Sequence, residues 1–497
     1  MTLKVPLPLA AEARHFIGGA WTPPAAGDRL PVENPATGAV FTEVGAGTAA
    51  DIDQAVQAAE SAMVAARRTR WTPAQRQDAL LALAQAVERH AEEFALLETL
   101  DTGKPISNSR RVDVPGTAAT LRYFAGWATK LTGESMELSQ PGETTAYTLR
   151  EPVGVVGHII PWNYPLMGAA FKLGPAIAAG CAVVLKPAEQ SSLSALKLAE
   201  LAVACGVPPG FFNVVTGLGP VVGAALVDHP GVAKISFTGS TATGTQIAAD
   251  CARQMKRVTV ELGGKSPVIV FADADLDATA RAIAMNIFFN SGQTCSAGSR
   301  LFVHRSVADA LVEKIARIGA AMTIGDPLDP ATQLGPVITQ AQRARIMGFV
   351  EGALTQGASR AGGDIALPAQ GYYVAPTVLG SVQAGMAAVD EEIFGPVLCA
   401  IPFDTDDLDE IAALANASRY GLSAYVWTGS LSRAHGMVSR LRAGTVRVNS
   451  SAGDIAMPAG GVRQSGFGRE NGRAGVEAYT ELKSVTIAHD HQVRGHG

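Results

Sequence analysis

The spacing of apolar residues divides the chain into helical and strand-forming stretches. Over residues 51–66 and 72–104 apolar residues recur every three or four positions, which predicts amphipathic helices. Asp51 and Thr72 are the predicted N-caps, and Gly103 the predicted stop. Further along, short aliphatic runs alternate with helix-length stretches, and the runs end in PWN, KPAE, FTGS and ELGG. This alternation predicts a doubly wound parallel sheet.

A second alternation of strands and helices begins after Gly264 and continues to about residue 460. The two α/β units therefore meet near Glu261–Lys265. Two polar, strand-like segments, at 130–150 and in the terminal YTELKSVTIAHD, belong to neither unit. The predicted fold class is α/β, with a Rossmann-like domain, a second α/β domain and a separate pair of strands.

Composition narrows the class of protein. The 497 residues are 47% hydrophobic and 17% charged, which is typical of a globular enzyme with a large core. A net charge of −5 favours neither a nucleic-acid nor an anionic-membrane partner. No apolar run approaches the ~18–20 residues of a membrane span. The first residues, MTLKVPLPLAAEA, are a poor match to a signal peptide.

The five cysteines are widely spaced and form no CxxC pair, which argues against a disulfide framework and a structural metal site. A reducing, cytoplasmic location follows. Four of the cysteines lie in apolar runs and are predicted to be small core residues. The fifth, Cys295, lies among small and polar residues in FFNSGQTCSAGSR.

That setting makes Cys295 a candidate nucleophile. An ordinary thiol, with a pKa of ~8.5, needs activation at neutral pH, and the backbone dipoles of a glycine-bounded loop are one source. Glu261 directly follows the apolar VTV and stands at a predicted strand end. It is either a general base or half of a structural ion pair, and its closeness to the domain junction favours the base.

The strand ends also carry candidate nucleotide contacts, since ligands of open α/β sheets bind at the carboxyl ends of strands. Gly239, Ser240 and Gly244 fit a phosphate-binding turn before a helix. The turn lacks the first GxG of the usual fingerprint, so a plain strand–helix turn is the alternative. Lys186 and Glu189 fit ribose contacts, and the carboxylate favours NAD over NADP. A solvated loop pair is the alternative there.

Seven motifs, in this order, carry a family resemblance: PWNYP, KPAE, FTGS, VELGGKSP, GQTCSAG, EEIFGPV and QSGFGREN. Over essentially its whole length the chain resembles the NAD(P)-dependent aldehyde dehydrogenase superfamily. The resemblance implies oxidation of an aldehyde to a carboxylic acid, with NAD, or alternatively NADP, as cofactor. It also implies a thiohemiacetal and then a thioester on the enzyme, the latter hydrolysed by water.

The resemblance assigns roles to individual catalytic residues. Cys295 is the implied nucleophile, and Asn163 the side-chain donor of the oxyanion hole, together with the Cys295 backbone N–H. Glu261 is implied to activate the hydrolytic water, Glu470 to relay protons and Lys172 to relay charge. The implied cofactor-binding residues are Trp162, Lys186, Glu189, Gly219, Gly239, Ser240, Gly244, Glu392 and Phe394.

The resemblance also implies three domains. The predicted NAD(P)-binding domain comprises residues 1–129 and 152–262, and the catalytic domain residues 263–463. The two orphan segments, 130–151 and 474–490, match an oligomerisation arm. Because an exposed strand edge is an association hazard, pairing between subunits is expected, as a homodimer or homotetramer.

The substrate and the fate of the acyl group stay open. Thr294, Ser296 and the loop 450–458 are expected to line the substrate tunnel, and Asp454 in that loop is compatible with a cationic aldehyde. A broad-range aliphatic or aromatic aldehyde is an equal alternative. Retention of Glu261 favours hydrolysis over acyl transfer to CoA. A non-redox cysteine acyl-hydrolase and a catalytically silent relative are the remaining alternatives.

Overall fold

The structure is a computed structural model that describes residues 13–139 and 143–489. Residues 1–12, residues 140–142 of the predicted arm and residues 490–497, which include the arm's last predicted residue, lie outside these described ranges. Within them the strands are β1 (His15–Ile17), β2 (Ala20–Thr22), β3 (Arg29–Asn34), β4 (Ala39–Gly45), β5 (Ser135–Met136), β6 (Thr144–Pro152), β7 (Val155–Ile159), β8 (Ala182–Lys186), β9 (Phe212–Val214), β10 (Val232–Thr238), β11 (Arg257–Glu261), β12 (Ser266–Val270), β13 (Gly298–His304), β14 (Ser359–Ala361), β15 (Thr377–Gly380), β16 (Val397–Phe403), β17 (Ser423–Trp427), β18 (Thr445–Val448), β19 (Gly466–Phe467) and β20 (Thr480–Ala488).

The helices cover the two large sheets, and none in the described ranges is long and apolar enough to cross a membrane. They are α1 (Ala49–Thr69), α2 (Pro73–Arg89), α3 (Ala91–Thr102), α4 (Ile106–Asn108), α5 (Val114–Ala125), α6 (Pro165–Ala179), α7 (Leu193–Ala204), α8 (Ala224–Asp228), α9 (Thr241–Arg253), α10 (Leu276–Phe288), α11 (Arg305–Ala320), α12 (Gln340–Thr355), α13 (Ala387–Asp390), α14 (Leu408–Asn416), α15 (Leu431–Arg440) and α16 (Gly472–Glu477).

The first sheet has eight strands in the order β19-β11-β10-β7-β8-β9-β1-β2. Its five central strands, from β11 to β9, run parallel, and the antiparallel β19 and β1–β2 close its edges. The second sheet has seven strands in the order β14-β15-β16-β13-β12-β17-β18, all parallel except β14. The predicted α/β class is confirmed.

The chain passes from the first sheet to the second directly after Glu261, the last residue of β11, since β12 begins at Ser266. The small residues of this crossing allow close packing. A Cβ on Gly264 would lie 2.8 Å from the Cys295 carbonyl oxygen. The junction predicted near Glu261–Lys265 therefore passes beside the loop that carries the cysteine.

Strands β6 and β20 pair antiparallel from Thr480 opposite Pro152 to Ala488 opposite Thr144. With β5 they form a separate three-stranded sheet. Leu482 and Ile487 are exposed on it, although both are large and apolar. The two orphan segments of the sequence thus pair with each other.

Two of the three predicted helix ends are confirmed, and one is wrong. Thr72 caps α2 by accepting from the Gln75 N–H, and Gly103 ends α3 in the left-handed region at φ 75°. The N-cap of α1 is Thr48, not Asp51. Asp51 lies in the first turn, where its carboxylate accepts from the Thr48 N–H and hydroxyl, each at 2.8 Å. A carboxylate at this position completes a capping box.

The largest core lies around the first sheet and its helices, with Leu80, Phe94, Phe124 and Phe212 among its fully buried side chains. Cys181, Cys251 and Cys399 are buried, as predicted for core residues. Cys205 is only half-buried at the end of α7, so the core prediction fails for it. All five thiols are free.

Candidate active site

The predicted strand-end residues share one edge of the first sheet. Because its five central strands are parallel and adjacent, the segments that follow them emerge side by side. These segments carry Trp162 and Asn163 after β7, Lys186 and Glu189 at the end of β8, Gly219 after β9, Gly239, Ser240 and Gly244 after β10, and Glu261 at the end of β11.

Features of this edge fit a dinucleotide. The Lys186 ammonium lies 2.9 Å from a Glu189 carboxylate oxygen. Burial is the largest single influence on Glu189 and acts against its ionisation, but the charge of Lys186 and the hydrogen bonds to the carboxylate together outweigh it and hold the carboxyl pKa below its usual value. The pair thus presents an ionised acceptor, which suits ribose hydroxyls. Ser240 caps α9 through a bond from the Thr243 N–H, which leaves the helix N-terminus facing the same edge.

The three predicted glycines of this edge differ in their surroundings. A Cβ on Gly244 would lie 2.2 Å from a Leu262 methyl, so glycine lets α9 approach the end of β11. A Cβ on Gly239 would meet the Phe237 ring at 2.5 Å. Gly219, at the start of a π-helical turn that ends at Gly223, has open space around its Cα. Only the first two glycines are required by packing.

The loop before Cys295 follows a tight path. Helix α10 ends at Phe288, and Asn290 and Ser291 adopt positive φ angles of 50° and 53°. Gly292 has φ +73°, and a Cβ there would lie 2.0 Å from the Gly395 carbonyl oxygen. The Ser291 hydroxyl donates to the Gly335 carbonyl at 2.7 Å. Backbone strain of this kind is typical of functional loops and requires support from the surrounding structure.

Asn163 is joined to this loop. Its side-chain amide donates to the Gln293 carbonyl at 2.9 Å, and the Asn290 amide donates to the Asn163 carbonyl at 3.0 Å. Gln293 is buried; its side chain accepts from the Ile338 N–H at 2.9 Å and donates to the Asn290 carbonyl at 3.1 Å. These bonds fix the predicted oxyanion donor next to the predicted nucleophile.

Burial raises the pKa of the Cys295 thiol to about 12, and the negative charges of Glu392 and Glu261 add to the shift. The nearby backbone N–H groups act in the opposite direction but are outweighed. The expected activation by backbone dipoles alone is therefore insufficient in this structure. A base has to remove the thiol proton as the thiol reacts.

Glu261 has the environment of such a base. Burial and the charge of Glu470 raise its carboxyl pKa well above the usual value, against the opposing charges of Lys172 and Arg469. One of its oxygens, Oε1, is buried without a hydrogen-bond partner, and a Cβ on Gly460 would lie 2.6 Å from it. A carboxylate with a raised pKa accepts protons near neutral pH.

Glu470 and Lys172 form an ion pair, 2.5 Å apart, behind Glu261. Ser236 joins them, because it accepts from the Lys172 ammonium at 2.7 Å and donates to Glu470 at 3.0 Å. Lys172 and Ser236 are almost completely buried. The structure thus brings Glu261, Glu470 and Lys172 into one electrostatically connected group.

The second sheet's side of the cleft carries Glu392 and Phe394. A Glu392 oxygen accepts from the Gly264 N–H at 3.0 Å, and burial raises the pKa of this carboxyl. The Phe394 ring meets the Trp162 indole edge to face, with centroids 5.3 Å apart. These contacts connect Glu392 and Phe394, two of the implied cofactor-binding residues, to the edge of the first sheet.

The sequence model of the aldehyde dehydrogenase family matches residues 21–485 of this chain. The chain belongs to this family. It is similar to a phenylacetaldehyde dehydrogenase of Pseudomonas fluorescens, with 44% identity over 98% of this chain and 99% of that protein. It is also similar to a betaine aldehyde dehydrogenase of Cereibacter sphaeroides, with 43% identity over 96% and 97% of the two chains.

A solved structure of an aldehyde dehydrogenase from Bacillus cereus, described as an NAD+ complex, superposes with a TM-score of 0.94. The two chains are 42% identical, and the match covers 99% of each. Agreement of this extent places both large sheets and the third sheet within one family fold.

Three residues that support the site were not predicted from the sequence: Gln293, Asn290 and Ser236. Gln293 and Asn290 lie in the quoted cysteine motif, but their side chains contact backbone groups, which no spacing rule predicts. Ser236 lies on β10, whose sequence VAKISFT predicts only a buried strand and no role for an individual hydroxyl. Its exposure of 1% shows that this hydroxyl must be satisfied internally.

The residues expected to line the substrate tunnel differ in their hydrogen bonds and exposure. The Tyr164 and Thr294 hydroxyls lie 2.7 Å apart. The Tyr425 hydroxyl donates to the Ser296 carbonyl at 2.8 Å and accepts from Arg447 at 3.2 Å. The Asp454 carboxylate is exposed and accepts from the Ala456 N–H at 2.7 Å, within its own loop. The positively charged Arg447 is therefore linked to the cysteine loop through Tyr425. The Asp454 carboxylate instead bonds to the backbone of its own loop.

Proposed function

We propose that the protein oxidises an aldehyde to a carboxylic acid with NAD+, through a thioester that water hydrolyses. The observation that carries the proposal is that the Cys295 thiol feels the charge of the buried Glu261 carboxylate, while the Asn163 amide donates to the carbonyl of Gln293, two residues before the cysteine. Lys186 and Glu189, at the edge of the first sheet, fit a ribose. A nucleophile, a base, an oxyanion donor and a dinucleotide edge meet there. That set of groups is what aldehyde oxidation requires.

Glu261 takes the Cys295 proton as the sulfur attacks the aldehyde carbon. The resulting oxyanion receives hydrogen bonds from Asn163 and from the Cys295 backbone N–H. Asn163 has two amide protons and uses one on Gln293, so the second is free for the oxyanion. NAD+, when bound, accepts the hydride that leaves the reacting carbon.

Hydrolysis of the Cys295 thioester uses Glu261 again, now as the base that activates water. The proton passes from Glu261 towards Glu470, whose charge is held by Lys172. Trp162, Gly239, Ser240, Glu392 and Phe394 would hold the cofactor. Retention of Glu261 supports hydrolysis over transfer to CoA.

The third sheet, with exposed Leu482 and Ile487, supports its assignment as an oligomerisation arm. An exposed apolar strand edge invites pairing with a second copy. A homodimer or homotetramer is the proposed assembly, which light scattering on the purified protein would test. A monomer at micromolar concentration would contradict it. The five free thiols support a reducing, cytoplasmic location.

The test is NADH formation across a panel of aldehydes, with NADP in parallel. The wild type is expected to turn over, Cys295→Ala to lose all activity, and Cys205→Ala, a half-buried thiol on α7, to retain it. Product formation that requires CoA would establish acyl transfer. Ester cleavage without NAD reduction would establish the acyl-hydrolase. Cofactor binding without any reaction would point to a silent relative.

Rapid mixing separates the two chemical steps. Glu261→Gln is assayed at alkaline pH, where a fraction of the Cys295 thiol ionises and attacks the aldehyde without help from the base. It is expected to give one burst of NADH per active site and then to stall, because no base activates the hydrolytic water. Glu93→Gln, which changes a carboxylate outside the site, serves as the control and should cycle normally. Continued turnover of Glu261→Gln at the wild-type rate would contradict the assigned role.

A further inference from the structure

A cluster of three fully buried, charged side chains lies next to the start of α6. The Lys104 ammonium, in the turn after α3, lies 2.8 Å from an Asp113 carboxylate oxygen and 3.9 Å from a Glu98 carboxylate oxygen. None of the three takes part in the chemistry proposed above. Apolar side chains of similar size would pack at least as stably in such a place, because buried charges lose their hydration. The cluster is therefore better explained by what it holds in position.

Glu98 attaches the cluster to two helices. One of its carboxylate oxygens accepts from the Leu166 N–H, in the first turn of α6, at 3.1 Å and from the Ser194 hydroxyl, on α7, at 2.6 Å. Burial raises the pKa of Glu98 to about 7, and the charge of Lys104 opposes this shift. The position of the lysine is thus fixed relative to the segment that follows β7.

The Lys104 ammonium also contacts that segment through an aromatic ring. Its nitrogen lies over the ring of Tyr164, 4.3 Å from the centre, and a desolvated cation over an aromatic face is an attractive contact. Tyr164 directly follows Asn163, the proposed oxyanion donor. The hydroxyls of Tyr164 and Thr294 lie 2.7 Å apart, and Thr294 directly precedes Cys295. A continuous series of contacts therefore leads from the charged cluster to the nucleophile.

The backbone next to Lys104 reaches the cysteine loop by a second route. A Cβ on Gly335 would lie 2.0 Å from the Gly103 carbonyl oxygen, so glycine allows this close approach. The Gly335 carbonyl in turn accepts from the Ser291 hydroxyl, in the loop before Cys295, at 2.7 Å. The turn that carries Lys104 and the loop that carries the nucleophile are therefore supported by the same segment.

We propose that Lys104 is a positioning residue for the nucleophile. Its ammonium fixes the Tyr164 ring, and the Tyr164 hydroxyl holds Thr294 so that the sulfur of the next residue, Cys295, faces the aldehyde. Lys104 is fully buried and acts only through Tyr164. The inference rests on the proposed function, because attack on an aldehyde is the step that this arrangement serves.

The test is the rate of the first NADH formation after rapid mixing of Lys104→Met with NAD+ and aldehyde. The substitution removes the charge and keeps the length of the side chain. We expect the rate to fall about 3- to 10-fold, because the nucleophile is less well aligned. KM for NAD+ should stay within about twofold of the wild type, because the dinucleotide edge is unchanged. A general structural defect would change both quantities.

Lys314→Met is the matched control. Lys314 also has a carboxylate partner, Asp277 at 2.6 Å, but this pair lies at the surface, away from the cysteine loop. The control should leave the rate of the first NADH formation and KM for NAD+ unchanged.

Thr294→Val makes the test specific to the proposed route, because it removes the contact with the Tyr164 hydroxyl. It should lower the rate of the first NADH formation to a similar extent. Adding Lys104→Met to Thr294→Val should then cost less than about twofold more, because both substitutions act through one contact. Tyr164→Phe, which keeps the ring and removes the hydroxyl, should behave like Thr294→Val.

A wild-type rate in Lys104→Met would overturn the inference, and so would effects of Lys104→Met and Thr294→Val that simply multiply. If Lys104→Met does not fold, Asp113→Asn decides, because it removes the closest partner of the ammonium. It should lower the rate about two- to threefold, and an unchanged rate would contradict the role of the cluster. Failure of the proposed function is distinct, because the wild type itself would then give no NADH with any aldehyde.

Discussion

The side-chain amide of Asn163 and the backbone carbonyl of Gln293 are joined by a 2.9 Å hydrogen bond that spans 130 residues of sequence. The bond crosses from the loop after β7 to the loop before Cys295. It directs one amide proton of Asn163 to the protein and leaves the other for a reacting oxygen. The geometry of the proposed oxyanion hole thus depends on contact between the two α/β units.

Replacing Asn163 with alanine removes the side-chain oxyanion donor. We expect kcat/KM for aldehyde oxidation to fall by about 10² to 10³, the usual loss for one such donor. Alkylation of Cys295 by iodoacetamide, which needs no oxyanion hole, should stay near the wild-type rate and serves as the control. If alkylation and turnover fell together, Asn163 would have only a structural role.

Replacing Gln293 with leucine leaves the Ile338 N–H without its partner, whereas the Asn290 carbonyl keeps the backbone N–H of residue 293 as a donor. We expect a loss of about 1 to 3 kcal/mol in unfolding free energy, because the Ile338 N–H is buried. Chemical denaturation measures this quantity. Gln57→Leu, at an exposed position on α1, should change stability by well under 1 kcal/mol. Similar effects of the two substitutions would contradict the account.

The pH dependence of Cys295 reactivity follows from its raised pKa of about 12. Only the thiolate reacts, so the alkylation rate of the cofactor-free protein should rise about tenfold per pH unit between pH 7 and 10. Burial is the main cause, and the charge of Glu392 is the next. Glu392→Gln should therefore lower the thiol pKa and accelerate alkylation about threefold at a fixed pH.

Glu391→Gln is the matched control for that measurement, since the Glu391 carboxylate pairs with Arg419 at the surface. It should leave the alkylation profile in place. A plateau near pH 8 in the wild type would show that the thiol is activated without a base, contrary to the structure.

The contact of Arg447 with Tyr425 predicts how substrate charge affects turnover. The Arg447 guanidinium donates to the Tyr425 hydroxyl, which donates to the Ser296 carbonyl. We expect the positive charge of Arg447 to disfavour a cationic aldehyde near Cys295. We expect kcat/KM for betaine aldehyde to be about tenfold lower than for its uncharged carbon analogue. Arg447→Gln should narrow the difference, and Arg442→Gln, at an exposed position nearby, should not. Preference for betaine aldehyde would instead support the role first considered for Asp454.

Much of the fold was predictable because it depends on local sequence. The aliphatic runs and the helical spacing identified the parallel strands and the covering helices. The polar, strand-like segments that form β6 and β20 were also identified, but their pairing with each other was not. Thr72 and Gly103 were predicted as helix ends because their effects act within one turn. Thr48 and Asp51 both have side chains that cap helices, and only the folded backbone shows which one precedes the first turn and which one lies within it.

The sequence by itself determined the residue types of the site: a cysteine among small residues, a glutamate at a strand end and a turn that accommodates phosphate. Tertiary structure alone decided their environment. Burial and two carboxylates, brought from distant segments, raise the pKa of Cys295, and Gln293 gains its role through contacts with Asn163 and Ile338. Desolvation and electrostatic interaction depend on distances in space, which residues far apart in sequence acquire only when the chain folds.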